Sequence, residues 1–273
     1  MKIGASTISA MYVGGVPVSA AYLGGVQVFG GETFDPDAEA YITAVETADG
    51  EALEAGVKDA INDFVVGCKL AEVWGDIEQC FPMAGARTLS GCLVPLKGPA
   101  PTNFNFVSDD YDRKTGLLGD GSTKYINTNR RIYPGLSGNL DEPRHVAFYI
   151  NSFGTSFFYG DGDRYYTDRQ NNFRFGRSPN DTLSRPLGVG FVGIEHEEAA
   201  IISEADIIDS VGAITNRANV GDSEDKDVLL FGRRPDNLSA ARIAFWSIGG
   251  RGVVPSLKPL VDDLMTALDG AIA

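Results

Sequence analysis

The chain has 273 residues, 43% hydrophobic and 22% charged, enough apolar content to bury a full core as one large β domain or two modest ones. Its formal net charge of -14 and the absence of any basic stripe exclude nucleic acid as a partner, because neutralising phosphates requires clustered Lys and Arg. No run approaches the roughly 18 apolar residues that cross a bilayer, so membrane insertion is excluded, and Met1-Lys2 leads into Gly- and Ser-punctuated phrases rather than a secretory leader.

Residues 9–28 are one ten-residue phrase written twice, SAMYVGGVPV and then SAAYLGGVQV, and KIGASTI at the start fits as a decayed earlier copy. Each copy reads as a short strand, a glycine corner and another short strand, since glycine takes the positive φ of a tight hairpin turn without penalty. Units this short bury no core alone and need stacked neighbours, which other chains can supply. The pattern predicts an anchoring and oligomerising β-repeat segment over 1–31, with Tyr12, Val16, Val18, Tyr22, Val26 and Val28 as its contact residues. An ordinary hairpin inside one monomer fits the same spacing.

Between 35 and 80, twelve acids stand against Lys58 and Lys69, which marks a separate acidic module. Asp35 or Asp37 around Pro36 predicts a helix start, and Tyr41, Ile42 and Val45 carry it towards Asp49-Gly50. Leu53, Val57, Ile61, Phe64 or Val65, and Cys68 make one apolar stripe of a second helix. An acidic helical connector is therefore expected over 32–82, packing on the next domain or serving assembly. Cys68, Cys80 and Cys92 form no CxxC pair and have no histidine nearby, which points to reduced thiols in a protein made in a cytosol rather than to zinc or disulfides.

From about residue 84 the period changes. LSGCLVPL, TNFNFV, STKYINT, HVAFYI, TSFFYG, NNFRFG, LGVGFVGI, AAIIS, KDVLLFG and ARIAFWSI are short apolar or alternating runs between Gly, Asn, Asp and Pro clusters. They predict a mainly β antiparallel sandwich or jelly roll over 83–273. Val146, Phe148 and Ile150 are expected on one side of their strand, Ala147 and Tyr149 on the other. A closing helix from Ser256 presents Leu257, Leu260, Val261, Leu264, Met265 and Leu268 as its apolar face.

Three phrases, GARTLSGCLVPLKG at 85–98, RKTGLLGDGSTKYINTNR at 113–130 and DVLLFGRRPDNLSAARIAFWSIG at 227–249, together resemble the concanavalin-like (LamG-like) jelly-roll domains of tailed-bacteriophage structural proteins, above all tail-fibre and baseplate adhesins. The N-terminal decads resemble the short Tyr-Val/Leu-Gly repeats near the start of phage virion proteins. The resemblance covers about two thirds of the chain, and its motifs specify fold better than function. It implies a virion component, a homotrimeric tail fibre or baseplate part made in the host cytoplasm, with other virion proteins and a host-surface glycan as partners.

The aspartates of GDGDR at 160–164, Asp161 and Asp163, with Asp120 and Asp168 as helpers, are weak metal candidates: carboxylates beside glycine suit calcium, but Asp-Gly is also the ordinary residue pair of hairpin turns. No cofactor is expected. Dense aromatics and arginines follow; Phe173 and Phe175 alternate as core residues, while Arg164, Tyr165, Tyr166 and Arg169 fall in a more polar loop and are the candidate ligand contacts. Catalysis finds no motif. Glu195, Glu197 and Glu198 lack the alternating acids of jelly-roll glucanases, and His145 and His196 join no nucleophile elbow and read as surface or strand-end residues. The expectation is a virion structural protein without enzymatic activity, an adhesin; a capsid decoration protein or a polysaccharide depolymerase are the alternatives.

Overall fold

The computed structural model describes, in backbone and side chain, residues 34–131, 145–154, 189–193, 227–232 and 235–273, and by backbone alone the strands named below outside those ranges. It divides into two compact units, Met1–Asp35 and Pro36–Ala273.

In the first unit each decad is one hairpin: β1 (Lys2–Ile3) with β2 (Ser6–Thr7), β3 (Tyr12–Val13) with β4 (Val16–Pro17), and β5 (Ala21–Leu23) with β6 (Val26–Phe29). The closing pairs Ile3↔Ser6, Val13↔Val16 and Leu23↔Val26 each leave two residues between the strands, the loop length that selects glycine-rich turns. Every hairpin forms its own two-stranded sheet, a structure only marginally stable in water.

The second unit opens with α1 (Pro36–Asp49), α2 (Ala55–Leu70), β7 (Ile77–Pro82), α3 (Leu89–Cys92), β8 (Thr102–Phe104), β9 (Tyr111–Asp112), β10 (Gly116–Leu118) and β11 (Tyr125–Arg131). It continues through β12 (Arg144–Ser152), β13 (Tyr159–Gly160), β14 (Tyr165–Thr167), β15 (Phe173–Phe175), β16 (Thr182–Leu183), β17 (Gly190–His196), β18 (Glu204–Ile208) and β19 (Ile214–Ala218). It closes with β20 (Asp227–Leu230), β21 (Gly232–Arg234), β22 (Asn237–Leu238), β23 (Arg242–Gly249) and α4 (Val254–Ala271). An eight-stranded antiparallel sheet runs β19-β18-β17-β12-β23-β10-β9, with β7 also on β23; a seven-stranded one runs β16-β15-β14-β13-β20-β11-β8. The fold is thus mainly β, with two antiparallel sheets and a C-terminal helix.

Alternate residues of a strand point to opposite faces, and β23 uses both. Trp246 lies between Phe148 and Phe81 in register and stacks on Phe81 at 5.4 Å, towards the sheet-to-sheet interior. Phe245 turns the other way and meets Phe64 of α2 edge-on at 5.7 Å. This double burial explains why RIAFWSIG reads as a continuous apolar run rather than an alternating one. On β12 the expected alternation of Val146, Phe148 and Ile150 is present, but Ala147 is also wholly buried because helices cover that face. α2 and α4 run antiparallel at close range: a Cβ on Gly56 would come within 2.9 Å of Ala271, and one on Gly67 within 2.5 Å of Leu260.

The acidic helices pack on the sheets, one of the two roles expected for them: they belong to the same compact unit, and the stripe Val57, Ile61, Phe64 and Cys68 is buried. One expectation is corrected. LSGCLVPL is not a strand. Its first residues form α3, because Thr88 caps Gly91 and Asp49 accepts the N–H groups of Arg87 and Thr88 at 2.7 and 2.9 Å.

The helical hairpin is further tied to the sheets by Glu54, which receives Arg113 in bidentate fashion at 3.0 and 2.7 Å, with Arg87 at 3.3 Å. The Arg113 hydrogen bonds hold the Glu54 carboxyl down at about 2. A depressed carboxylate stabilises the fold above its unfolded value and loses that contribution as pH falls, here between about 4.5 and 2. Replacing Glu54 by Gln is expected to cost on the order of 1 kcal/mol at neutral pH, lowering Tm by about 2–4 °C, after allowance for partial exposure. In thermal melts across pH the gap to wild type should close towards pH 2; a gap independent of pH contradicts the assignment.

Candidate functional site

Ile126 of β11 is buried against the opposite sheet, so its neighbours Tyr125 and Asn127 emerge on the outer face of the seven-stranded sheet. Register extends that face sideways: Tyr125 lies opposite Phe104, and Asn127 opposite both Thr102 and Leu229. By backbone register the row continues from Leu229 through Gly160, Tyr166 and Arg174 to Thr182. The Phe104 and Tyr125 rings stack at 4.3 Å and 9°, and Phe104 remains 36% exposed.

Beside the rings lies a set of short polar side chains. Asn127 Nδ2 donates to Asp227 Oδ2 at 3.1 Å, and Asn129 Nδ2 donates to the Ala100 carbonyl at 2.9 Å and to Thr102 Oγ1 at 3.0 Å. Asn129 has φ +54°, within a register shift between Asn127 and Arg131; such bulges re-aim side chains. The helices cover the eight-stranded sheet and leave this face to the other one.

The side chains of Arg164, Tyr165, Tyr166 and Arg169, of Asp161, Asp163 and Asp168, and of Tyr12, Val16, Val18, Tyr22, Val26 and Val28 lie outside the described residues. Backbone register nonetheless corrects one expectation: Tyr165 and Tyr166 sit in strand β14, not in a loop, and occupy different rows, Tyr165 opposite Phe175 and Tyr166 opposite Arg174. Asp120 acts as a turn residue: its carboxylate accepts the N–H groups of Ser122, Thr123 and Lys124 and the Thr123 hydroxyl, beside Gly121 at φ +72°. Burial pushes this carboxyl up, but those hydrogen bonds outweigh it and hold the group well below the usual range. Among the described residues, no three His, Cys, Asp or Glu side chains gather as metal ligands.

His145 is not a surface residue. It is wholly buried next to Ser247, with Nδ1 at 2.6 Å from the Gly250 carbonyl and Nε2 at 2.9 Å from Ser247 Oγ. A carbonyl only accepts, so Nδ1 carries the proton and Nε2 accepts from the serine hydroxyl. The spacing is that of a nucleophile and its base, yet both groups are sealed from solvent, and a backbone carbonyl holds the third position. In register His145 lies opposite Glu195, which lies opposite Asp206. Sequence offered no signal for the Ser247–His145 pair, whose members stand about a hundred residues apart. The hollow between the sheets near Phe81, Met83, Leu117 and Ile126 has a volume of about 10 Å³, room for one water and no substrate. Burial pushes the Cys68 thiol up to about 12 and raises Cys80 and Cys92 as well, so all three are poor nucleophiles.

No protein-family model and no curated protein matches the chain. Among solved structures it is similar to a Trypanosoma rangeli sialidase mutant displaying trans-sialidase activity, at 10% identity and TM-score 0.45, covering 76% of this chain and 39% of that one. It is also similar to domain 4 of an extracellular arabinanase from Geobacillus stearothermophilus, at 12% identity and TM-score 0.36, covering 68% of this chain and 98% of that one. Peanut lectin is similar at 13% identity and TM-score 0.31, covering 55% of this chain and 90% of that one. The chain thus spans about two fifths of the sialidase it matches. The expectation that the protein lacks enzymatic activity is withdrawn, because sialidase, arabinofuranosidase and arabinanase structures stand among those it is similar to.

For the buried pair, Ser247→Ala is expected to cost about 1–3 kcal/mol by removing the hydroxyl bonded to Nε2. A double-mutant cycle with His145→Leu should return a coupling of about 1–2 kcal/mol in urea unfolding. Additive effects would dissolve the pair.

Proposed function

We propose that this chain is a structural protein of a tailed-phage virion, a tail-fibre or baseplate-associated adhesin whose sandwich is a concanavalin-like (LamG-like) jelly roll turned to the host surface. The observation that carries this reading is the array of three hairpins with the same two-residue closure, each its own two-stranded sheet. Such hairpins present strand edges that seek partners, and identical edges on other copies are partners of matching length and register. A homotrimer joined there gains avidity for a surface glycan without stronger individual contacts. Placement on the capsid as a decoration protein uses the same chemistry.

Deleting residues 1–29 is expected to leave a folded β-rich chain that sediments as a monomer while the full chain sediments as a trimer. An unchanged oligomer in analytical ultracentrifugation overturns the anchoring role, and immunogold microscopy of intact particles separates tail from capsid.

One observation favours a second reading, a polysaccharide depolymerase. Glu195 and Asp206 are cross-strand partners by backbone register, and glycoside hydrolysis uses a pair of carboxyl groups. On purified capsular and O-chain polysaccharides, Glu195→Gln or Asp206→Asn should each lower reducing-end release by about 100-fold or more. Release that is unaffected, or undetectable with wild type, removes this reading.

A further inference from the structure

We infer that Phe104 and Tyr125 form a stacking platform for a neutral pyranose unit of a bacterial surface polysaccharide, with Thr102, Asn127, Asn129 and Asp227 as its hydrogen-bonding rim. The inference rests on the proposed role of the sandwich as a surface-facing head.

The two rings have no part in the sheet-to-sheet core. Ile126 fills that side of β11 and is 1% exposed, so Tyr125 and its partner Phe104 project from the opposite face. The rings are nearly coplanar in orientation, 9° apart and 4.3 Å between centroids. Each has one face covered by the other, and Phe104 remains 36% exposed. β8 ends the order of its sheet, so no further strand of that sheet covers the outer face of Phe104. A flat apolar surface held rigid by its neighbour loses little entropy when a ring of C–H groups settles on it.

One step along the strands, about 7 Å away, the next row supplies what sugar hydroxyls need. Asn127 keeps one amide N–H beside its bond to Asp227, the oxygens of Asn127, Asn129 and Thr102 offer acceptor lone pairs, and Asp227 supplies a carboxylate whose Oδ2 is fixed by Asn127 at 3.1 Å. These groups are oriented by bonds among themselves, as a rigid polar site requires. Charge selects the class of sugar. Asp227 lies opposite Arg131 in register, so the rim is close to neutral, while the chain as a whole carries -14 and repels polyanions at a distance. A neutral hexose chain fits, and a sialylated or uronic acid polymer does not.

The test uses the full chain on an array printed with neutral and anionic bacterial oligosaccharides, followed by titration of the strongest neutral hit. Phe104→Ala and Tyr125→Ala are each expected to weaken binding by about tenfold or more, while Phe104→Trp retains it and Glu39→Gln on α1 changes nothing. Thermal melts accompany each variant. Should Phe104→Ala unfold, Phe104→Leu keeps the apolar contact without the ring and must still lose binding. Neutral glycans bound equally by wild type, Phe104→Leu and Tyr125→Ala overturn the platform, as does a wild type that binds none at millimolar concentration or prefers anionic chains. Adsorption of the wild-type oligomer to host cells is scored separately: adsorption that persists without array binding rejects the platform alone, and its loss rejects the adhesin reading with it.

Discussion

The burial of β23 on both faces is the constraint on which the second unit depends. Its edges are taken by β12 on one side and by β7 and β10 in series on the other, and its residues Phe245 and Trp246, adjacent in sequence, anchor two different layers. Trp246 stacks within the sheet-to-sheet interior and Phe245 reaches the helices. A strand used in this way needs apolar cover above and below. The acidic helical hairpin supplies one cover and the seven-stranded sheet the other, which is why helices read as a separate module turn out to belong to the same unit.

That arrangement also decides which sheet face the helices cover. α2 and α4 lie over the eight-stranded sheet, whereas on the outer face of the seven-stranded sheet Thr102, Phe104 and Asn129 are exposed and Leu229 is buried. That outer face carries polar pairs that order one another and a stacked aromatic couple. The buried His145–Ser247 pair makes the contrast clear: chemically suggestive groups closed off from solvent hold strands together, and modest groups on an open face are free to meet a ligand.

Legibility from sequence followed the range of the interactions. The glycine-cornered decads, the start of α1 at Pro36, the stripe of α2 and the apolar face of α4 are all local patterns, and each is present where the spacing put it. Asp120-Gly121 was open between turn and ligand, and its hydrogen bonds to Ser122, Thr123 and Lys124 place it in the turn. The short run at 89–92 misled because apolar composition alone does not separate a buried strand from a capped helical turn; Asp49, some forty residues away, makes the difference.

The sequence by itself determined the antiparallel β character, the repeat unit with its two-residue corner, and the helical faces, because periodicity and turn chemistry are written in neighbouring residues. Only the tertiary structure decided that Phe104 stands beside Tyr125, that His145 lies sealed against Ser247, and that Tyr165 and Tyr166 part into different rows. Those facts depend on strand register between segments far apart in the chain, and a shift of one residue would send each of these side chains to the opposite face.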